Sequence, residues 1–150
     1  MTYQTFCTSA LVQGLAPDDQ RMIFNHGSVV RIDDGDIIIA EGRANTALYI
    51  VLSGELEVSL PDRLDRVTGI SLAICRPGDC VGEYSFLDHR AASASVSANQ
   101  PTELFKIAYD SFEGLLDTHP DVARRIYRNL LVALVDRLRA SDAELDLFRL

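Results

Sequence analysis

Residues 77–96 read PGDCVGEYSFLDHRAASASV, and this stretch says more about the fold than any other part of the chain. It combines a tight turn, a glycine followed by a carboxylate (Gly82 and Glu83), one arginine (Arg90) and a run of small and hydroxylated residues. Such a mixture suits a loop whose backbone N–H groups close around an anion while a carboxylate holds a sugar hydroxyl. The stretch therefore predicts an anion-binding loop.

The bulk properties place limits on partners and compartment. The 150 residues suffice for one domain with its own core, and the net charge of −8 argues against sequence-independent binding of nucleic acid. No run reaches the roughly 18–20 apolar residues of a membrane span, and no secretory signal is visible. The three cysteines, an odd number, favour a reducing compartment, so we expect a cytoplasmic protein in which Cys75 and Cys80 are buried free thiols.

The hydrophobic pattern divides the chain into three parts. Residues 1–27 are predicted to be helical, because apolar residues recur at helical spacing and Pro17 with two acids marks a helix start. Short β-prone runs separated by turn residues fill 28–108, a pattern typical of an antiparallel barrel or jelly roll. The predicted strands are 28–32, 36–40, 47–52, 55–60, 70–75, 93–98 and 103–107, with a polar hairpin tip at 61–69.

The C-terminal part, 109–150, returns to helical spacing. A short helix is predicted at 110–116, and a long one follows Pro120 and runs to the end without glycine or proline. Its first turns (Val122, Ile126 and Leu130) are expected to pack on the barrel. Its later turns carry apolar residues spaced three and four apart, which predicts a partner helix and homodimerisation. The residues of this seam are Tyr127, Leu131, Leu134, Leu138, Leu145 and Phe148, with Ser141 filling the gap.

This order of elements resembles the cyclic nucleotide-binding domain family, and in particular the effector domain of the Crp/Fnr group of bacterial regulators. The resemblance rests on three local matches: DGDIII at 34–39, ALYIVLSGEL at 47–56, and PGD at 77–79 followed by Gly82-Glu83. It covers about residues 11–147. It implies one domain over 1–150, mainly β with flanking helices, built as an antiparallel β jelly-roll barrel with a phosphate-binding cassette at 77–96 and a long C-terminal helix.

The resemblance also implies roles for individual residues. Gly82 would permit the turn, Glu83 would accept a hydrogen bond from a ribose 2′-hydroxyl, and Ser93 and Ala94 would lie beside the cyclic phosphate. The short helix whose N–H groups face that phosphate would be formed by Tyr84, Ser85 and Phe86. Late in the long helix, Ser141 and Asp142 occupy positions that resemble those reaching the purine, from either protomer.

One position departs from the family pattern. Counting back from Val96, the phosphate-binding arginine of the family falls on Ala92, and Arg90 lies two positions early. If this segment is extended, side chains two apart share a face about 6.6 Å apart, so Arg90 could fold back towards the phosphate. The alternative is that Arg90 pairs with Asp88 or Glu83, or points into solvent. The sequence therefore predicts weak or absent binding of cAMP and cGMP.

Other chemistries lack their residues in this sequence. The three histidines lie in separate elements without partners at metal-ligand spacing, and no nucleophile has an assigned base, so we expect no cofactor, no metal and no enzymatic activity. In the Crp/Fnr group a helix-turn-helix module follows the long helix, whereas this sequence ends at Leu150. We therefore expect no DNA binding by this chain, and Met1 favours a complete small protein.

Two interpretations of function stay open. In the first, the chain is a regulatory sensor that binds a small anionic molecule, such as a cyclic mono- or dinucleotide, and signals through the dimer helix. In the second, it is a protein–protein interaction adaptor whose pocket no longer functions. If Arg90 and Ser93 both point into the barrel mouth, sensing is favoured. A mouth closed by Tyr84, Phe86 or a collapsed cassette favours the adaptor.

Overall fold

The computed structural model describes residues 2–62 and 69–147. Most of the predicted hairpin tip and the seam residue Phe148 lie outside this range. The helices are α1 (Thr2–Cys7), α2 (Pro17–His26), α3 (Glu83–Asp88), α4 (Tyr109–Thr118) and α5 (Pro120–Leu147), with a 3-10 turn at Ala10–Val12. The strands are β1 (Ser28–Ile32), β2 (Ile37–Ile39), β3 (Ala47–Ser53), β4 (Leu56–Leu60), β5 (Ile70–Cys75), β6 (Cys80–Val81), β7 (Ser95–Ala98) and β8 (Thr102–Ala108).

The strands form two four-stranded antiparallel sheets, one in the order β1-β8-β3-β6 and the other in the order β2-β7-β4-β5. The predicted jelly-roll fold is confirmed. Among the described strands no pair joins one sheet to the other, so the barrel is open at its sides. Each predicted strand lies within two residues of an observed one. The sequence missed only β6, whose two residues are too few to show alternation.

Two hydrophobic cores lie on the two faces of the first sheet, and β3 is buried on both. Because successive side chains of a strand point to opposite faces, Leu48 and Ile50 pack against the helices while Tyr49 and Val51 face the barrel interior. The second sheet closes that interior with buried side chains from all four of its strands: Ile39, Leu56, Cys75, Val96 and Ala98. The cassette therefore lies between a packed barrel and a helical layer.

The N-terminal segment is helical, as predicted, and consists of two helices separated by the 3-10 turn, the second of which starts at Pro17. Gly14 interrupts it with a left-handed φ of +77°, and Pro17 then starts α2 at a position where no N–H is needed. A Cβ on Gly14 would lie 2.2 Å from the Arg125 guanidinium of α5. This break lets the N-terminal segment pack against the long helix.

Helix α5 is buried in the core at its start and mostly exposed afterwards. Val122, Ile126 and Leu130 are buried in the helical core, as predicted. The Asn129 side-chain amide donates to the carbonyls of Leu11 and Gln13, both at 2.9 Å. Beyond this point most of the described side chains of α5 are exposed, with Leu134 half-buried. The predicted seam is thus an exposed apolar stripe in the protomer, consisting of Tyr127, Leu131, Leu138 and Leu145 beside Leu134.

Candidate functional site

The turn that opens the cassette requires glycine for two reasons. Gly82 has a φ of +91°, in the left-handed region that side chains disfavour. A Cβ at this position would lie 2.7 Å from the Ala47 carbonyl oxygen, closer than van der Waals contact allows. Helix α3 starts directly after it, so Gly82 brings the Glu83 side chain to the mouth of the barrel.

A polar network from distant segments holds this turn. The Tyr109 hydroxyl donates to the Gly82 carbonyl, and the Asn45 side-chain amide donates to the Tyr109 hydroxyl (2.7 Å) and to the Ala47 carbonyl (2.9 Å). Burial raises the pKa of Tyr109 to about 12, so its hydroxyl stays a donor at neutral pH. Sequence reasoning missed Asn45 and Tyr109, because no motif marks them.

The return segment of the cassette is fixed by backbone pairing with a neighbouring turn. Ala92 accepts from the Gly42 N–H (2.8 Å) and donates to the Arg43 carbonyl (2.9 Å). Three residues on, the Ser95 hydroxyl accepts from the Glu41 N–H at 3.0 Å. Ala92 is only 9% exposed, and its methyl group faces the cavity described next. The position that resembles the family's arginine is therefore inside the site but carries no charge.

A small cavity of about 70 Å³ lies between α3, the return segment and α5. A larger groove of about 760 Å³ shares part of its wall and continues between β5 and α5. Of the predicted ligand-binding residues, six line the small cavity: Gly82, Glu83, Tyr84, Ser85, Ser93 and Ala94. Ser141 lines only the groove, and its neighbour Asp142 lines neither. The fold brings most of the predicted site together around one space.

Two predicted site residues lie elsewhere. Arg90 is exposed, and in the described part of the chain only its backbone N–H makes a hydrogen bond, to Asp88 Oδ1 at 2.9 Å. Phe86 is buried in the helical core, with ring centroids 5.4 Å from Tyr109 and 5.2 Å from Phe112. Phe86 thus anchors α3 and does not line the cavity. Arg90 does not fold back over Ala92.

A guanidinium from the long helix enters the site instead. Arg137 Nη1 lies 2.9 Å from Glu83 Oε1, and the Glu83 side chain is only 10% exposed. Burial raises the pKa of the Glu83 carboxyl above its ordinary value, against the opposing influence of its own backbone N–H and of Arg137. The carboxylate that the resemblance assigns to a ribose hydroxyl is therefore paired with Arg137 of α5.

Tyr84 completes this contact. Arg137 Nη1 also donates to the Tyr84 hydroxyl at 2.7 Å, and the guanidinium carbon lies 5.4 Å from the centre of the Tyr84 ring. Sequence reasoning missed Arg137, although one signal was available. Arg137 lies four residues before Ser141, so the two share a face of α5, and the resemblance places Ser141 on the ligand side.

Among the described residues, no group of histidine, cysteine and carboxylate side chains is arranged to hold a metal ion. No helix within that part of the chain has the length and apolar character needed to cross a bilayer. All three cysteines are free thiols. Cys75 is buried, as predicted, but Cys80 is half-buried, so the prediction of burial is wrong for Cys80.

Comparison with known proteins agrees with this geometry. The sequence profile described as the cyclic nucleotide-binding domain matches residues 29–119, which is more than half of the chain. The chain belongs to the cyclic nucleotide-binding domain family. The match extends from the first residues of the barrel to the end of α4, and it includes the whole cassette.

Several relatives share most of this domain. The cyclic AMP receptor protein of Thermus thermophilus is 33% identical over 93% of this chain and 62% of its own length. Glutaminase 1 of Bradyrhizobium diazoefficiens is 31% identical over 91% of this chain but only 21% of its own length. The domain thus spans between about a fifth and three fifths of these two curated relatives.

Solved structures give the same fold. The catabolite activator protein of Thermus thermophilus superposes with a TM-score of 0.80 at 32% identity, over 93% of this chain and 63% of that chain. A cyclic nucleotide-binding domain from Methylobacillus flagellatus superposes with a TM-score of 0.84 at 20% identity, over 95% of this chain and 81% of that one. The second likeness concerns the fold alone.

Proposed function

We propose that this domain is a non-enzymatic regulatory module of the cyclic AMP receptor protein type, which binds a small anionic, nucleotide-like ligand between the cassette and α5. One observation carries the proposal: the buried carboxylate of Glu83 lines a cavity together with Ser93 and the small residues of the family's cassette. A carboxylate among hydroxyls and backbone N–H groups suits a sugar phosphate. Cyclic mononucleotides are the first candidates, and cyclic dinucleotides the second.

The same cavity argues that binding is weak or non-standard. Ala92 contributes a methyl group where the family's pattern has an arginine, and Arg90 lies in solvent. A charge-assisted hydrogen bond contributes about 1.5–3 kcal/mol, so the loss of one weakens affinity by about 10- to 100-fold. We expect the affinity for cAMP and cGMP to be lower by this factor than that of a domain with the cassette arginine.

Signalling in this proposal runs through α5 to a second copy of the chain. The exposed apolar stripe of α5 is unpartnered in the protomer, and each leucine buried there would contribute about 1.5–3 kcal/mol. A ligand between the cassette and α5 contacts the helix that carries this stripe, so it biases the dimer if its affinity differs between two arrangements. The double variant Leu131→Asp/Leu138→Asp tests this interface by sedimentation. We expect the wild-type chain to sediment as a dimer and the double variant to sediment as a monomer.

The binding proposal is tested by isothermal titration with cAMP, cGMP and cyclic dinucleotides, using wild-type protein and Glu83→Gln. The substitution keeps the size of the side chain and removes the charge that accepts from a ribose hydroxyl. We expect measurable binding by the wild type and a loss of about tenfold or more in the variant. Equal binding by both proteins, or no binding of any nucleotide at millimolar concentration, would contradict the proposal.

An adaptor function is the second candidate, and one observation favours it. Within the described residues, no cationic side chain of the cassette reaches the cavity, while the apolar stripe of α5 is available whether or not a ligand binds. The adaptor would dock proteins through that stripe and be indifferent to nucleotides. The discriminating measurement is the thermal midpoint with the same nucleotides, because a ligand at a hundred times its Kd adds about 2.7 kcal/mol of stability.

A further inference from the structure

A phosphate bound in this cavity needs a positive charge close by to neutralise it. The carboxylate of Glu83 is present, Ala92 is uncharged, and Arg90 lies outside. Among the described residues lining the cavity, Arg137 is the one cation. An anion buried beside a carboxylate without a countercharge is costly, so any phosphate bound here must be near this guanidinium.

The guanidinium has donors to spare. Arginine carries five N–H donors, and both contacts made by Arg137, to Glu83 Oε1 and to the Tyr84 hydroxyl, use Nη1. Its Nη2 and Nε groups, which hold the other three donors, make no hydrogen bond to the described part of the chain. The Nη2–Nε edge is a parallel pair of donors, and this geometry matches two oxygens of a phosphate. The side chain is 52% exposed, so the edge is accessible.

The position of Arg137 agrees with this role. It lines the small cavity together with Ala92 and Ser93, and it also lines the groove that continues towards Ser141. Tyr84 holds the guanidinium in place by its hydroxyl and its ring. One edge of the Arg137 guanidinium is thus held by Glu83 and Tyr84, and the other edge is free of protein hydrogen bonds in the described structure. The side chain lines the same cavity as Ala92, the uncharged position of the cassette.

We infer that Arg137 supplies, from α5, the positive charge that the cassette lacks at Ala92: Nη1 stays on Glu83 while the Nη2–Nε edge binds the phosphate of the ligand. This inference rests on the proposed function, since it names the residue that recognises the anion at the same site. It has a consequence that a cassette arginine would not have. The phosphate is bonded directly to the long helix, so ligand affinity and the position of α5 are coupled through a single side chain.

The test measures the Kd of cAMP and cGMP by calorimetry for wild type, Arg137→Ala, Arg137→Lys and Arg139→Ala. Arg139 is an exposed arginine of the same helix without a side-chain contact in the described structure, and serves as the matched control. Because removal of Arg137 also leaves Glu83 unpaired, the double variant Ala92→Arg/Arg137→Ala is included. It returns a cation to the cavity without restoring the contact to α5. Thermal unfolding of each variant without nucleotide shows whether it is folded.

We expect Arg137→Ala to weaken binding by about 10- to 100-fold, Arg137→Lys to recover only part because it has no paired donor edge, and Arg139→Ala to bind like wild type. The double variant should regain affinity relative to Arg137→Ala. If wild type binds and Arg137→Ala binds within about threefold of it, the inference is wrong while the proposed function stands. If wild type binds neither nucleotide but the double variant does, both are wrong, since Arg137 then fails to replace the missing cation.

Discussion

Arg137 of α5 lies 2.9 Å from Glu83 of α3, with Nη1 facing Oε1. The pair joins the last described third of the chain to the turn that opens the cassette, and one of its members is nearly buried. A charge with so little water around it depends on its partner, because burial alone disfavours the ionised carboxyl. The contact therefore links the charge state of the site to the packing of the long helix.

The first prediction concerns the pH dependence of stability. Burial raises the pKa of Glu83 from its ordinary value of 4.5, so the folded protein binds this proton more tightly than the unfolded chain does. The corresponding stabilisation is complete below pH 4.5 and is lost as the pH rises through the folded pKa. The free energy of unfolding of wild type relative to Glu83→Gln should therefore fall across this window and be constant above it.

Urea denaturation of both proteins from pH 4 to pH 7 measures this difference, because contributions from other groups cancel in the subtraction. The same series in an Arg137→Ala background should extend the window to higher pH, since one influence that lowers the pKa of Glu83 is removed. A difference that rises with pH, or does not depend on it, would show that the carboxyl is not desolvated.

The second prediction separates two costs of replacing Gly82. Gly82→Ala should lower the free energy of unfolding for two reasons. A non-glycine residue in the left-handed region is strained by about 1–2 kcal/mol, and the added Cβ would be placed against the Ala47 carbonyl. Gly35 has nearly the same φ, +89°, with no atom within 4 Å of the added Cβ, so Gly35→Ala reports the strain alone. We expect Gly82→Ala to be the more destabilising by at least about 1 kcal/mol in chemical denaturation. Equal losses would rule out the close approach.

The third prediction compares adjacent leucines of α5. Leu130 is 4% exposed and Leu131 is 61% exposed, so the same substitution probes two environments. Leu130→Ala should cost about 2–5 kcal/mol of unfolding free energy, whereas Leu131→Ala should change the protomer by no more than about 0.5 kcal/mol. The measurement is denaturation at a protein concentration low enough to keep the chain monomeric. A large loss for Leu131→Ala under that condition would place its side chain inside the protomer.

The fourth prediction concerns the thiols beside the cassette. Burial, with a smaller contribution from Asp79, raises the pKa of Cys75 to about 11, and burial raises the pKa of Cys80 well above its ordinary value. Only the thiolate reacts with iodoacetamide, so alkylation of Cys75 at pH 7.5 should be roughly 100-fold slower than that of an ordinary thiol. Mass spectrometry of native protein should find both residues unmodified, and the same protein in urea should be labelled at both. Rapid labelling of Cys75 in the native state would contradict its burial, and rapid labelling of Cys80 would contradict its raised pKa.

Much of the fold could be predicted from the sequence because short local patterns mark most strands and turns of the barrel. Glycines with left-handed φ angles, such as Gly35 and Gly54, lie between runs of apolar residues and mark the turns. The seven predicted strands are those with enough residues to show a pattern. The two-residue strand β6 depends on pairing with Tyr49 and Ile50 of β3, a contact between distant segments that no local pattern reveals.

The candidate site was only partly predictable for the same reason. Residues on the cassette itself share one stretch of sequence, so Gly82 and Glu83 could be named from it. Asn45 and Tyr109 reach the turn from other parts of the chain. Arg137 is one of several arginines on α5, and in the sequence only its spacing of four residues from Ser141 distinguishes it. Arg90 is near the cassette in sequence, but its side chain is exposed.

We propose that this cassette is a working anion site weakened by the methyl group of Ala92. The most direct measurement is the calorimetric Kd of cAMP for wild type and for Ala92→Arg, in chains shown by thermal unfolding to be folded. We expect the arginine to strengthen binding by about 10- to 100-fold, because it adds a charge-assisted contact in a cavity already lined by Glu83 and Ser93. An affinity unchanged within about threefold would show that the phosphate does not lie beside residue 92 and that the methyl group of Ala92 does not weaken the site.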